Sequence, residues 1–289
     1  LPSQWSELGD ILREASFWAK KAAATTVGRE HVEHALGQRS FRLNRVETRI
    51  RELIRDRTLL VDVAGTRVAQ VNGLAVLDIG GYQFGRPSRI TATVALGQAG
   101  IVAVDREAQM SGKTFDKAVL IITGYLRHTY AQRFPLSLSA SLAFEQSYSG
   151  IDGDSASAAE LLALISGLSG VPLRQDLAVT GSVNQFGEVQ PIGGINEKVE
   201  GFFHVCREIG LTGTQGVVLP QQNVDNLVLD HEVMAAIRAG QFHLYPVATV
   251  DEALEVFTGV RAGSVSEKDT IHYRASRRLR AMARRLRRF

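Results

Sequence analysis

A single cysteine, Cys206, is all the thiol this 289-residue chain contains, which excludes an intramolecular disulfide and any four-cysteine metal site. Spaced at helical intervals from Val199, Phe202 and Ile209, Cys206 reads as a small core residue. No apolar run approaches the ~18 residues needed to cross a bilayer, and the start lacks the apolar stretch of a secretory signal. These two absences point to a cytoplasmic setting. Leu1 stands where a methionine would, so the chain is expected to be an excised piece or a processed form. A nucleotide-binding P-loop is also lacking. Ser111-Gly112-Lys113-Thr114 ends like one, but the pattern requires glycine at position 107, where Glu107 stands, and residues 105–110 do not read as a buried strand. ATP dependence, if any, would come from sequence upstream, and no cofactor is assigned to this chain. His31 and His34 have no third ligand near them in sequence; a solvated helix face is the expectation, and no metal site is assigned.

What is present suits a globular protein. Apolar residues make up 45% and charged residues 22%, which excludes a mostly disordered chain. The length allows one large domain with appendages, or two domains. Net charge is +3, but residues 274–289 hold eight arginines and no acid, leaving 3 − 8 = −5 for the rest. Within 272–289, Leu279, Met282, Leu286 and Phe289 share one helical stripe among the arginines. That tail suits an anionic membrane surface, nucleic acid or an acidic partner, and equally a solvated, partly disordered terminus.

The chemistry concentrates in two stretches. In the first, Gly153-Asp154-Ser155 leads into a run from Ser157 to Ile165 with strong helical preference. Ser155 is therefore expected at a helix N-terminus, where free N–H groups and the helix dipole suit a developing oxyanion. The plain alternative is that Asp154 or Ser155 only caps the helix. In the second stretch, Lys198 leans onto an apolar stripe made by Ile195, Phe202 and Val205, with Glu197, Glu200, His204 and Glu208 on the wet side. Burial disfavours an ammonium, so its pKa should fall by about 3 units towards neutrality, roughly 4 kcal/mol. A neutral amine can take a proton from a serine hydroxyl. The competing arrangement is a snorkelling lysine with its head in water.

Gly153-Asp154-Ser155-Ala156-Ser157, then Ala178-Val179-Thr180-Gly181-Ser182, then Pro191-Ile192-Gly193-Gly194-Ile195-Asn196-Glu197-Lys198 resemble the peptidase domain of Lon proteases, nearest the LonB type. The serine-to-lysine separation of 43 residues and the threonine 25 past the serine match that family. The likeness runs over residues 68–258. It implies Ser155 as nucleophile, Lys198 as general base and Thr180 as a hydroxyl that helps hold the lysine. Asp152 matches the acidic position of LonB-type sites, where glutamate is the commoner residue, and N–H groups around Asp154 and Ser155 would hold the oxyanion. The resemblance further implies a serine endopeptidase acting on unfolded polypeptides in a ring, usually a hexamer. Two other readings stand beside it. One is a non-catalytic Lon-fold module binding nucleic acid or protein through the basic tail. The other is a latent site in which Asp152 or Asp154 pairs with Lys198 and keeps it charged.

Along the chain, residues 1–58 read as three helices and resemble the helical lid of an AAA+ ATPase, with Arg13 a candidate nucleotide-sensing arginine. Strands are expected over 68–77, 88–94, 100–104, 137–144, 176–180, 216–220 and 242–245, and helices over 115–132, 157–165 and 232–239. Glu145 and Tyr148 lie in a loop that could line a substrate cleft or be ordinary loop. Gly187, Gly193 and Gly194 would let a substrate strand approach the backbone closely. The expectation is an α+β fold, with a Lon-type peptidase domain over 61–262 preceded by a small all-helical subdomain over 1–60 and followed by a basic tail over 263–289.

Overall fold

The computed structural model describes residues 2–148 and 150–286. They form two compact units that divide between residues 52 and 53. The chain opens with three helices, α1 (Pro2–Lys21), α2 (Arg29–Leu43) and α3 (Arg45–Arg55), where apolar spacing places them. In the first unit α1 packs on α2 through the buried Ala15, Ala19 and Ala35. Trp18 meets the His34 ring edge-on at 4.2 Å, and Arg42 pairs with Glu14 at 2.8 Å. His31 departs from the expected solvated face. It is buried, and its Nδ1 accepts the Gly28 N–H at 2.9 Å, so it helps cap the start of α2. Arg13 is exposed and pairs with Asp10.

The second unit begins with β1 (Thr66–Arg67), β2 (Gln70–Ile79), β3 (Tyr82–Leu96), β4 (Gly100–Ala103), α4 (Val104–Glu107), α5 (Lys113–Tyr130) and β5 (Leu138–Phe144). Gly80 and Gly81, with φ of 63° and 82°, turn the β2–β3 hairpin in two residues, and the Gly81 N–H donates to Asp78. Such a turn needs positive φ at both positions, so β3 starts at Tyr82 rather than near residue 88. There follow α6 (Ser157–Ser169), β6 (Leu173–Arg174), β7 (Leu177–Val179), β8 (Ser182–Val183), β9 (Val189–Gln190), α7 (Ile195–Ile209) and β10 (Gly216–Pro220). A 3₁₀ turn (Gln221–Asn226) leads to α8 (His231–Arg238), β11 (His243–Val247), α9 (Val250–Thr258) and α10 (Ile271–Leu286).

Seven strands form one mixed sheet in the order β11-β10-β7-β2-β3-β5-β4. Pairing is parallel from β11 to β2 and between β4 and β5, and antiparallel across β2, β3 and β5. The fold is α+β, as expected. Helix α6 is its centre: every residue from Ser157 to Leu168 is buried, the polar Ser157, Glu160 and Ser166 among them. It packs on β2 and β3 and is covered by α10.

That cover corrects the reading of the basic tail as a solvated terminus. Ile271, Ala275 and Leu279 are fully buried and Ser276 and Ala283 nearly so, the small residues letting α10 lie close on α6. Arg274, Arg277, Arg278, Arg280, Arg284 and Arg285 are exposed, and of these Arg278 also donates to the Gly167 carbonyl of α6. Met282 packs against the core at the edge of the stripe, and Phe289 lies outside the described residues. Among the described residues the buried face of α10 lies on α6. Among the described residues no helix is long and apolar enough to cross a membrane.

Candidate active site

Ser155 sits in a turn two residues ahead of α6, whose N-cap is Ala156. Neither Asp154 nor Ser155 is that cap. The turn is fastened from three sides. Its backbone carbonyls accept at Asp154 from the Ser157 hydroxyl at 2.7 Å, and at Ser155 from the Gly181 N–H at 2.8 Å and the Thr180 hydroxyl at 3.2 Å. Ser157 Oγ in turn accepts the Val183 N–H at 3.0 Å. The Ser155 backbone is thus pinned to the end of β7 and to β8, while its side chain stays half-buried.

Lys198 comes from the first turn of α7. Gly194 precedes that helix with φ of 67°, and a Cβ there would also stand 2.5 Å from a Val76 methyl. Its glycine is therefore required by packing within the fold, not by an incoming strand. Gly193 is exposed and open, and Gly187, φ 86°, would press a Cβ 2.7 Å from the Tyr125 ring. One turn beyond Lys198, Gly201 lies on β3. A Cβ on Gly201 would be 2.2 Å from the Gly85 carbonyl oxygen, and one on Gly85 would be 1.9 Å from the Glu197 carbonyl oxygen. Helix and strand meet backbone to backbone, which brings the lysine up to the serine turn.

Lys198 is 3% exposed, and its Nζ donates to Ser155 Oγ at 2.8 Å. Burial lowers its pKa to about 8, against the upward pull of Asp154 and Glu197. A lysine titrating near neutrality exists partly as the amine, in which form the hydrogen bond reverses and Nζ accepts the serine proton. It is not a snorkelling lysine.

The other residues singled out from the sequence are placed as follows. Thr180 is buried, and its hydroxyl goes to the Ser155 carbonyl; among the described residues no hydrogen bond joins it to Lys198. Its hydroxyl thus holds the Ser155 backbone rather than the Lys198 side chain. Asp152 turns away from the dyad. Its carboxylate accepts the N–H groups of Gly153 at 2.8 Å, Thr114 at 3.2 Å and Phe115 at 3.4 Å, and these donors, Gly153 foremost, hold its pKa below the ordinary carboxylate value. It thereby sits on the N-terminus of α5, beside the Gly112-Lys113-Thr114 stretch, and among the described residues no ion pair joins it to Lys198. Asp154 lies near the lysine and pulls its pKa up, but its Oδ2 accepts from the Ser182 hydroxyl at 2.8 Å. Glu145 accepts the Thr91 hydroxyl at 2.6 Å, and Tyr148 is 84% exposed; among the described residues no hydrogen bond ties either to the dyad. Cys206 is fully buried, and burial pushes its thiol pKa up. Ser157, Ser182, Gly85 and Gly201 were not singled out for these roles from the sequence. The signal available was the pairing of small residues across distant segments, which only a sheet register makes visible.

Residues 146–258 match the family profile of the Lon protease (S16) C-terminal proteolytic domain, and residues 1–42 that of the archaeal LonB AAA+ ATPase LID domain. A putative Lon protease homolog of Escherichia coli (strain K12) is 40% identical over 256 residues, covering 88% of this chain and 43% of the relative. A putative Lon protease homolog of Haemophilus influenzae is 38% identical over 256 residues, 88% of this chain and 42% of the relative. The archaeal Lon protease of Archaeoglobus fulgidus is 28% identical over 257 residues, 86% of this chain and 37% of the relative. The chain thus spans less than half the length of these relatives. With a Lon proteolytic domain behind a LonB-type LID, and relatives named as Lon proteases along nearly its whole length, the chain belongs to the Lon protease family.

Proposed function

We propose that this chain is the proteolytic part of a Lon-type, ATP-dependent protease, a serine endopeptidase using Ser155 and Lys198. The observation that supports it most is the 2.8 Å contact between Ser155 Oγ and the Nζ of a lysine that is 3% exposed. In the proposed reaction the neutral Lys198 amine takes the Ser155 proton while Oγ attacks the scissile carbonyl carbon. The carbonyl oxygen becomes an oxyanion that the Asp154 and Ser155 N–H groups can receive; among the described residues neither N–H has an intramolecular acceptor. The lysine ammonium then protonates the leaving amine as the C–N bond breaks, giving a seryl ester. A water molecule, deprotonated by the same amine, attacks the ester carbon and releases the carboxylic product and free Ser155. No histidine takes part, so all seven histidines are dispensable for this chemistry.

Unfolded or misfolded polypeptides are the proposed substrates, in the cytoplasm, and a homo-oligomeric ring of six the proposed assembly. The LID match and the greater length of the relatives support attachment to an AAA+ module, from which ATP dependence would come. The test incubates the chain without nucleotide with an unfolded protein and a fluorogenic peptide, beside Ser155→Ala and Lys198→Ala variants and a peptidyl boronate. Cleavage lost in both variants and a boronate adduct at Ser155 are expected. A folded chain that neither cleaves nor labels, yet binds nucleic acid through α10, would replace this reading with the non-catalytic module.

A further inference from the structure

Asp154 stands one residue before the nucleophile, and its carboxylate is the acid with the strongest pull on Lys198. An aspartate in that place can act against the chemistry, because an ion pair with Lys198 would hold the lysine as an ammonium and deprive Ser155 of its base. No such pair forms among the described residues, and the reason lies on β8. Ser182 Oγ donates to Asp154 Oδ2 at 2.8 Å. Ser182 is 4% exposed, and its backbone is held from two directions. It is opposite Gln190 in the β8–β9 ladder, and the next residue, Val183, donates its N–H to Ser157 Oγ at 3.0 Å. The hydroxyl is therefore a stationary donor whose nearest alternative acceptor, Gln190 Oε1, is 3.4 Å away.

We propose that Ser182 is a positioning residue that holds the Asp154 carboxylate off Lys198 and so leaves the lysine amine available to Ser155. The proposal rests on Ser155 and Lys198 being the catalytic pair. Two acids bear on the lysine, Asp154 from the turn before α6 and Glu197 from α7 itself; of the strands packed against α7, β3 carries Arg86 and Arg89, the latter paired with Asp62, and β2 carries Asp78, which accepts from Gly81 and Gln83. Of Asp154 and Glu197, the former is the one whose carboxylate carries a buried, fixed hydroxyl donor. Removing that donor frees its side chain to rotate towards the ammonium.

The proposal is tested on the whole chain with Ser182→Ala, Ser182→Thr, Asp154→Asn and the double variant. Two readouts are taken: the acidic limb of kcat/KM against pH on a fluorogenic peptide, and the titration of Lys198 itself by NMR of ε-13C-labelled lysine. The second readout does not need turnover, so a failed dyad and a failed catch are told apart. Expected for Ser182→Ala is a limb and a lysine midpoint raised by about one unit or more, which lowers activity at pH 7 about tenfold and leaves the alkaline plateau in place. Ser182→Thr, which keeps the hydroxyl, should restore the wild-type midpoint. Asp154→Asn should lower it, and the double variant should match Asp154→Asn, because Ser182 acts only through that carboxylate. A loss of activity equal at every pH, an unmoved lysine midpoint in Ser182→Ala, or a raised midpoint that survives in the double variant would each overturn the proposal. Asp154→Asn guards against a folding defect in Ser182→Ala, since its opposite shift is predicted without touching β8.

Discussion

Burying Lys198 burdens the native state and equips it at once. Its pKa falls from 10.5 to about 8, a penalty of about 3 kcal/mol. The folded pKa lies below the unfolded one, so the native state binds fewer protons. The penalty is complete below pH 8, shrinks as pH rises, and is gone above 10.5. Lys198→Met should therefore abolish peptide cleavage while raising the unfolding free energy at pH 7, by up to about 3 kcal/mol, with a gap that narrows towards pH 10; a denaturant series at several pH values reads this. Wild-type cleavage should rise along a limb centred near pH 8 as the amine form fills. Glu160 carries a similar burden outside the chemistry. It is 1% exposed, and among the described residues neither carboxyl oxygen has a hydrogen-bond partner. Burial, with a smaller contribution from Asp105, raises its pKa to about 8. A raised acid pKa means the folded state holds a proton that the unfolded chain gives up, so stability falls as pH climbs from 4.5 to about 8. Glu160→Gln removes that dependence, and its Tm should stay nearly level across the same interval while the wild-type value declines.

At the scale of elements, the meeting of α7 with β3 decides whether Lys198 reaches Ser155. Helices and strands normally keep side chains between them, but Gly85 and Gly201 remove both at one point. Gly201→Ala would place a Cβ 2.2 Å from the Gly85 carbonyl oxygen, which must push α7 outward and carry Lys198 with it. The expected cost is about 1–3 kcal/mol of stability, with a disproportionate loss in kcat, because a displacement of about 1 Å in a catalytic group can cost about a hundredfold. Circular dichroism together with kcat on the same sample separates the two effects; a variant destabilised in that range yet fully active would show that α7 does not set the dyad distance. Helix α10 shows the complementary case. Its arginines drew attention to the outward face, whereas its fold role belongs to Ile271, Ala275 and Leu279 on the inward one.

The whole molecule divides between residues 52 and 53 into a helical unit and the sheet-centred unit that holds Ser155, Lys198, α6 and α10. Each unit has its own buried residues, small alanines in the first and the large cluster around α6 in the second. Calorimetry should accordingly resolve two unfolding transitions, since cooperativity follows packed units. A peptidyl boronate bonded to Ser155 should raise only the transition of the second unit, because a ligand stabilises the body that binds it. A single transition shifted as one by the boronate would instead mean that the two units unfold together.

By itself the sequence determined the kinds of element and the family. Period and glycine punctuation located the helix after Ser155, the apolar stripe under Lys198 and most of the strands, because these are properties of neighbouring residues. Serine, threonine and lysine at their separations carried the family. Tertiary structure alone decided which way Asp152 points, that Thr180 holds the Ser155 carbonyl, that Ser182 holds Asp154, that Gly85 faces Gly201, and that an arginine-rich tail is a docked helix. Each of these is a contact between segments far apart in the chain, fixed by sheet register and by helix packing on a fully buried α6. A local pattern tells which face of an element is apolar, but not what that face will meet.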